Sequence, residues 1–146
     1  MQAVIFTGVQ GSGKTTFYNE RFGATHVHIS LDIVKTRHRE RELLAACLRE
    51  GRPFVVDNTN PLAAVRAPYI AAARAAGFRV TGYYFEIALA EALRRNAQRA
   101  GTARIPPPGV IGTFRRIEPP TVAEGFDELF TVASANGTFA VTARTA

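Results

Sequence analysis

Gly8-Val9-Gln10-Gly11-Ser12-Gly13-Lys14-Thr15 fits the pattern G-x-x-x-x-G-K-[ST] at every fixed position. The run before it, Ala3 to Thr7 (AVIFT), is short and apolar, as a buried strand is, and Lys14 to about Arg21 reads as a helix. A glycine-rich turn between strand and helix is the context that makes this pattern a phosphate loop. Its glycines let successive backbone N–H groups converge on one anion, and the helix N-terminus adds partial positive charge. On this reading Gly8 to Thr16 cradle the phosphates of ATP. Lys14 reaches the β- and γ-phosphates, and the Thr15 hydroxyl ligates Mg²⁺.

Outward from this loop, short β-like runs alternate with helical stretches. His26 to Ser30 reads as a second strand and Ile33 to Glu50 as one long helix closed by Gly51. Pro53 to Asp57 (PFVVD) is a third buried strand. Pro61 suits the first residue of a helix running to Gly77, with a kink or break expected at Pro68. Arg79 to Phe85 is a fourth strand, Leu89 to Arg99 a helix, Gly101 to Gly109 a loop, and Val110 to Ile117 a short helix. Phe126 to Ala133 and Thr138 to Thr142 read as late strands around a turn at Asn136-Gly137. The alternation predicts an α/β fold, with a mostly parallel sheet, helices on both faces and a small lid, in a single domain over 1–146. Ligands of such sheets bind beyond the carboxyl ends of the strands.

Composition bounds the rest. Hydrophobic residues make up 47% of 146, enough for a core and against disorder. No run approaches the roughly 18 apolar residues of a membrane span, so no membrane partner is expected. MQAVIFTGVQ has no basic flank before its apolar run, which argues against a secretory signal, and the single Cys47 fits a reducing cytoplasm. The formal charge is +6, and only Lys14 and Lys35 among the 18 basic residues are lysine.

Phosphate loops serve switches, motors and kinases. There is no N-K-x-D guanine-reading motif, which argues against a GTPase switch. Asp57 ends the third strand where an acid would hold Mg²⁺, and Asn58 follows where many ATP-hydrolysing motors have Glu. Asp57 also suits a helix cap. Asp32, just past the second strand, has two open readings: the base that deprotonates an acceptor hydroxyl, or the cap of the helix from Ile33. Lys35, one turn on, would face the same way and hold the acceptor's phosphate or the γ-phosphate. Arg95 and Arg99 share a helix face, where two like charges repel unless an anion lies between them. Arg37, His38, Arg39 and Arg41 form either a track for a single strand or, with Glu40 and Glu42, a solvated face. Arg115 and Arg116, after a short helix, read as contacts to the nucleotide. His26 and His28 read as buried or paired structural histidines.

These segments resemble the kinase domain of the polynucleotide 5′-kinase/3′-phosphatase family. The resemblance is carried by GVQGSGKTTF, HVHISLD, VVDNTNP with RAPYIAAARAAG, RRNAQR, the Ile105-Pro106 step and PPTVAEGF. It implies a P-loop kinase fold and transfer of the γ-phosphate of ATP to a 5′-hydroxyl of DNA or RNA, in repair or end processing. By position it implies Asp32 as general base, Lys14 and Thr15 as phosphate and Mg²⁺ residues, Asp57 as the acid of D-N-T-N, and Arg99 as the lid arginine. Arg66 stands where a relative has Arg, as a substrate or structural contact. Lys35 stands where the phage enzyme has an acceptor-binding Arg, and Leu31 where relatives often have Arg. No D-x-D-G-T phosphatase signature occurs, so a kinase without 3′-phosphatase activity is expected, any phosphatase or ligase partners being separate chains. The competing expectations are a P-loop kinase for a small molecule or nucleotide, and a non-catalytic nucleotide-binding module.

Overall fold

The apolar run ahead of the phosphate loop forms strand β1 (Gln2–Thr7), in which Ala3, Val4, Ile5 and Phe6 are at most 1% exposed. A strand covered on both faces reads as a continuous apolar run rather than an alternating one. The remaining strands are β2 (Val27–Ile29), β3 (Phe54–Val56), β4 (Arg79–Phe85), β5 (Glu128–Ala135) and β6 (Thr138–Ala143). In the computed structural model, which describes residues 1–135 and 137–145, they form one sheet in the order β2-β3-β1-β4-β5-β6. All neighbours are parallel except β5 and β6. The expected α/β fold with a mostly parallel sheet is therefore present. Asn136, half of the expected turn before β6, lies outside the described residues.

Alternate residues of the strands feed two cores. Ala3, Ile5, Ile29, Phe54, Val56 and Val80 face one side, with Cys47 from helix α3 (Arg37–Glu50) and Tyr69, Ile70 and Ala73 from helix α4 (Ala63–Ala75). Val4, Phe6, Val55, Phe85 and Val132 face the other, against Phe17 and Tyr18 of helix α1 (Lys14–Arg21). A smaller cluster of Val9, Ala92 and Val110 joins the phosphate loop to helices α5 (Leu89–Ala97) and α6 (Pro107–Arg116).

Three local expectations are corrected. The single helix from Ile33 to Glu50 is two: helix α2 (Leu31–Val34) is one turn long and ends at Lys35, whose φ of 74° is left-handed. Thr36 then caps α3, its Oγ1 accepting from the Arg39 N–H at 3.1 Å. The helix expected from Pro61 starts two residues later and runs unbroken through Pro68. The carbonyl that Pro68 orphans is that of Ala64, and both residues are exposed, so water replaces the lost bond. The Pro-rich loop is shorter than expected, because Pro107 and Pro108 open α6, where a missing N–H costs no intrahelical bond.

The loop after β3 is pinned from below. The Asn60 side chain donates to the Phe6 carbonyl of β1 at 2.7 Å. The Asn60 carbonyl accepts from Arg66 Nη1 at 2.8 Å. Arg66 is fully buried and makes a two-pronged pair with Glu124 at 2.8 and 3.0 Å, from Nε and Nη2. Its guanidinium is spent inside the fold, which corrects the expectation of a substrate contact and leaves the structural one. Removing one partner of such a pair leaves a buried charge uncompensated. Arg66→Ala is expected to cost about 3 kcal/mol or more, seen as a fall of roughly 10 °C in the thermal midpoint. Arg66→Lys should recover only part of this, because an ammonium cannot make the planar fork.

Candidate functional site

Parallel strands end together, so the turns after β1, β2 and β3 meet at one end of the sheet. A cleft of about 630 Å³ opens there. Gln10, Gly11, Gly13, Lys14, Thr15 and Thr16 line one side. Gly11 and Gly13 take φ of 81° and 98°, which only glycine adopts without strain. Gly8 is required for space instead, since a Cβ there would lie 2.7 Å from Ser12 Oγ and 2.9 Å from Phe85 Cβ. Gly8, Val9 and Ser12 form the floor of the loop rather than the cleft wall.

Lys14 folds back over the loop and donates to the carbonyls of Gly8 at 2.9 Å and Val9 at 3.0 Å. Burial lowers its pKa from 10.5 to about 8; Asp57 opposes the shift, Arg99 adds to it, and Asp32 opposes it weakly. An ammonium held by two carbonyls in a low-dielectric site lacks a counter-anion. Ser12 Oγ and Gln10 Oε1 are buried without a hydrogen-bond partner. A triphosphate fits the lysine, since it supplies the missing anion beside the ammonium.

Asp57 is 5% exposed at the end of β3. Its Oδ2 accepts from Thr15 Oγ1 at 2.9 Å and hydrogen-bonds His28 Nε2 at 2.7 Å. His28 in turn stacks on Tyr18, with ring centroids 3.8 Å apart. The expected structural histidine is thus a paired one, and it braces Asp57. The Thr15 hydroxyl and the Asp57 carboxylate are hard oxygen donors side by side, and they suit Mg²⁺, which keeps several waters and takes phosphate oxygens for the rest. No group of three or more His, Cys, Asp or Glu that could hold a metal by themselves occurs among the described residues.

Across the cleft stand Leu31, Asp32, Arg37 and Asn58. Asp32 is exposed, in the first turn of α2. Asn58 Oδ1 accepts from the Leu31 N–H at 3.0 Å. Glu40, 3% exposed on α3, accepts from Asn58 Nδ2 at 2.8 Å, from the Tyr69 hydroxyl at 2.6 Å and from Arg37 Nη1 at 3.0 Å. Burial and the Glu40 bond push the Tyr69 hydroxyl up to about 12, so it stays a donor. Lys35 is exposed and lies outside the cleft. The helix break at Lys35 removes the one-turn relation to Asp32, and Arg37 lines the cleft in its stead. Of the run Arg37, His38, Arg39 and Arg41, expected as either a strand track or a solvated face, Arg37 alone lines the cleft among the described residues.

Arg95, Arg99 and Arg116 complete the lining on the lid side. Arg95 is not free: Nε donates to Glu91 at 3.0 Å and Nη2 to Ser134 Oγ at 3.1 Å. Hydrogen bonds from Arg94 and Arg95 hold the Glu91 carboxyl down at about 2. Glu91 thus neutralises Arg95 from the preceding turn, and α5 ends at Ala97, so the shared helix face expected of Arg95 and Arg99 does not form. Arg94 is an exposed, ion-paired residue outside the cleft, and Arg115 is exposed outside it too. His38 pairs with Glu42 on the solvent face of α3, and Arg41 is exposed there, so neither reaches the cleft.

A family model described as an AAA domain matches residues 4–117. The chain belongs to that family. Solved structures of similar fold include a gluconokinase from Sinorhizobium meliloti 1021, at 19% identity and TM-score 0.62, covering 92% of this chain and 83% of that one. Kti12 of Chaetomium thermophilum in complex with ADP-AlF3 matches at 18% identity and TM-score 0.66, covering 90% and 88%. AvrRxo1-ORF1:-ORF2 with ATP matches at 14% identity and TM-score 0.70, covering 97% of this chain and 57% of that one. These likenesses show the fold; they do not show a polynucleotide 5′-kinase. No helix among the described residues is long and apolar enough to cross a membrane.

The lowered pKa of Lys14 gives a signed test. Below pH 8 the lysine is charged in the free protein and binding changes nothing at that site. Above pH 8 the free protein has lost the proton, and a bound phosphate draws it back. Nucleotide affinity should be flat below pH 8 and fall as pH rises above it. Calorimetry at pH 8.5 in buffers of different ionisation enthalpy should show proton uptake on binding ADP, and Lys14→Met should abolish that uptake.

Proposed function

We propose that the chain is a P-loop kinase that moves the γ-phosphate of ATP to a hydroxyl group of a small-molecule or nucleotide acceptor held at Asp32. The observation that carries this reading is that Asp32 lines the same cleft as Lys14 and Arg99 and has no ion pair among the described residues. An ATP-hydrolysing motor carries its second acid directly after the Mg²⁺ acid, where this chain has Asn58, whereas a phosphotransferase needs a carboxylate placed to take the acceptor's proton.

The residues divide the work. The loop N–H groups and Lys14 hold the β- and γ-phosphates. Mg²⁺, held at Thr15 and Asp57, would neutralise phosphate charge. Asp32 accepts the hydroxyl proton as the acceptor oxygen bonds to the γ-phosphorus. The bond from that phosphorus to the bridging oxygen breaks, and ADP leaves with the electron pair. Arg99 stabilises the charge on the phosphoryl group in flight. Arg37 lines the same cleft with Nη1 anchored to Glu40 and Tyr69, and would meet an anionic group on the acceptor.

The gluconokinase likeness supports an acceptor of small size. A second reading, a 5′-hydroxyl of DNA or RNA, is favoured by the D-N-T-N-P and A-E-G-F segments, which Arg66, Asn60 and Glu124 join in space. Incubation with γ-labelled ATP and separate panels of sugar acids, nucleosides and 5′-OH oligonucleotides distinguishes them. Label should pass to one panel, and Asp32→Asn should cut the rate by about 100-fold or more with little change in ADP affinity. An oligonucleotide acceptor would show an apparent KM that falls with length and rises with salt. Transfer undiminished in Asp32→Asn would refute the role given to Asp32.

A further inference from the structure

We infer that Glu40 is a positioning residue for the acceptor side of the cleft, fixing through Asn58 the backbone that carries Asp32. This rests on the reading of Asp32 as the group facing the acceptor. Glu40 does not itself line the cleft and meets it through Arg37 and Asn58, which do.

A carboxylate only 3% exposed must have its lone pairs used, and here both oxygens are. Oε1 accepts from the Tyr69 hydroxyl and Arg37, which would suffice to seat α3 against α4. Oε2 is turned to another element and accepts from Asn58 Nδ2, in the loop after β3. That contact carries directional information. An ionised carboxylate only accepts, so the nitrogen end of the Asn58 amide must face it. The oxygen end is thereby aimed at the Leu31 N–H, the residue directly before Asp32. The N-cap residue of α2, Ser30, makes no side-chain cap bond, so the Asn58 oxygen takes over an orphan donor at the start of that one-turn helix. Such a short helix has little stability of its own, and Asp32 depends on this outside acceptor for its place.

The test exchanges the polarity of the Glu40–Asn58 bond. In Glu40→Gln, the side-chain oxygen still accepts from Tyr69, but the amide now presents N–H to Asn58. The Asn58 amide must turn over, which takes its oxygen from Leu31. Adding Asn58→Asp restores the arrangement: one aspartate oxygen accepts from the glutamine, the other from the Leu31 N–H. Amide hydrogen exchange at Leu31, followed by NMR, should speed up about tenfold in the single variant, the factor for one hydrogen bond, and return toward wild type in the double. Asn58→Leu, which leaves Glu40 with Tyr69 and Arg37, should speed it as well. With the acceptor that the wild type turns over, Glu40→Gln should lower kcat while the KM for ATP stays unchanged. Leu31 exchange unchanged in both single variants, or no recovery in the double, would overturn the inference. The exchange measurement needs no acceptor, so a wild type that transfers label to nothing would count against the kinase reading alone.

Discussion

Three parallel strands that end at the same level determine what this molecule can hold. Ile5, Val56 and Ile29 sit side by side in the ladder, so the turns after them are neighbours although 24 to 51 residues separate these three in sequence. Everything that follows β1 is a phosphate loop, everything that follows β2 is the Asp32 turn, and everything that follows β3 is the Asp57–Asn60 loop. The chain switches sides between these strands, so no crossover covers their carboxyl ends, and the cleft is left open where the turns converge. The chemistry of the site follows from that convergence: an anion cradle, a carboxylate facing it, and between them the pair Thr15 and Asp57.

The site is also arranged around charges that oppose one another. Lys14 is buried enough to weaken its hold on a proton, and the neighbouring Arg99 weakens it further. Asp57 pulls the other way. Arg95 would add a third cation facing the same space, but Glu91 and Ser134 hold its guanidinium. The arginine that remains without such a partner among the described cleft residues on α5 and its extension is Arg99. A positive cleft of this kind favours a polyanion.

Much of this was legible in the sequence, for physical reasons that differ between elements. The phosphate loop is a local structure dictated by glycine conformations, and its motif is read directly. The sheet follows from short apolar runs at regular spacing. The ends of elements were harder. Periodicity carried the second helix through Lys35 and Thr36, because a threonine cap leaves the apolar spacing almost undisturbed. Pro68 suggested a break, yet the helix absorbs it where its freed carbonyl meets water. Arg66 was ambiguous because an arginine serves equally well as a strut or as a ligand; only the placement of Glu124, 58 residues away, decides. Glu40 looked like one acid in a charged run, and its burial is a tertiary fact with no local signature.

The match to the AAA-domain family stops at residue 117, but the physical unit does not. The acid that neutralises Arg66 is Glu124, and the serine that holds Arg95 is Ser134. The ring of Phe139 lies 3.2 Å from where a side chain on Gly13 would begin. Without β5, strand β4 would become an edge with its ladder bonds open to other chains. The segment from Glu124 to β6 therefore braces both the phosphate loop and the D-N-T-N turn. Divergence there would be expected to alter the site without touching a residue that meets the nucleotide.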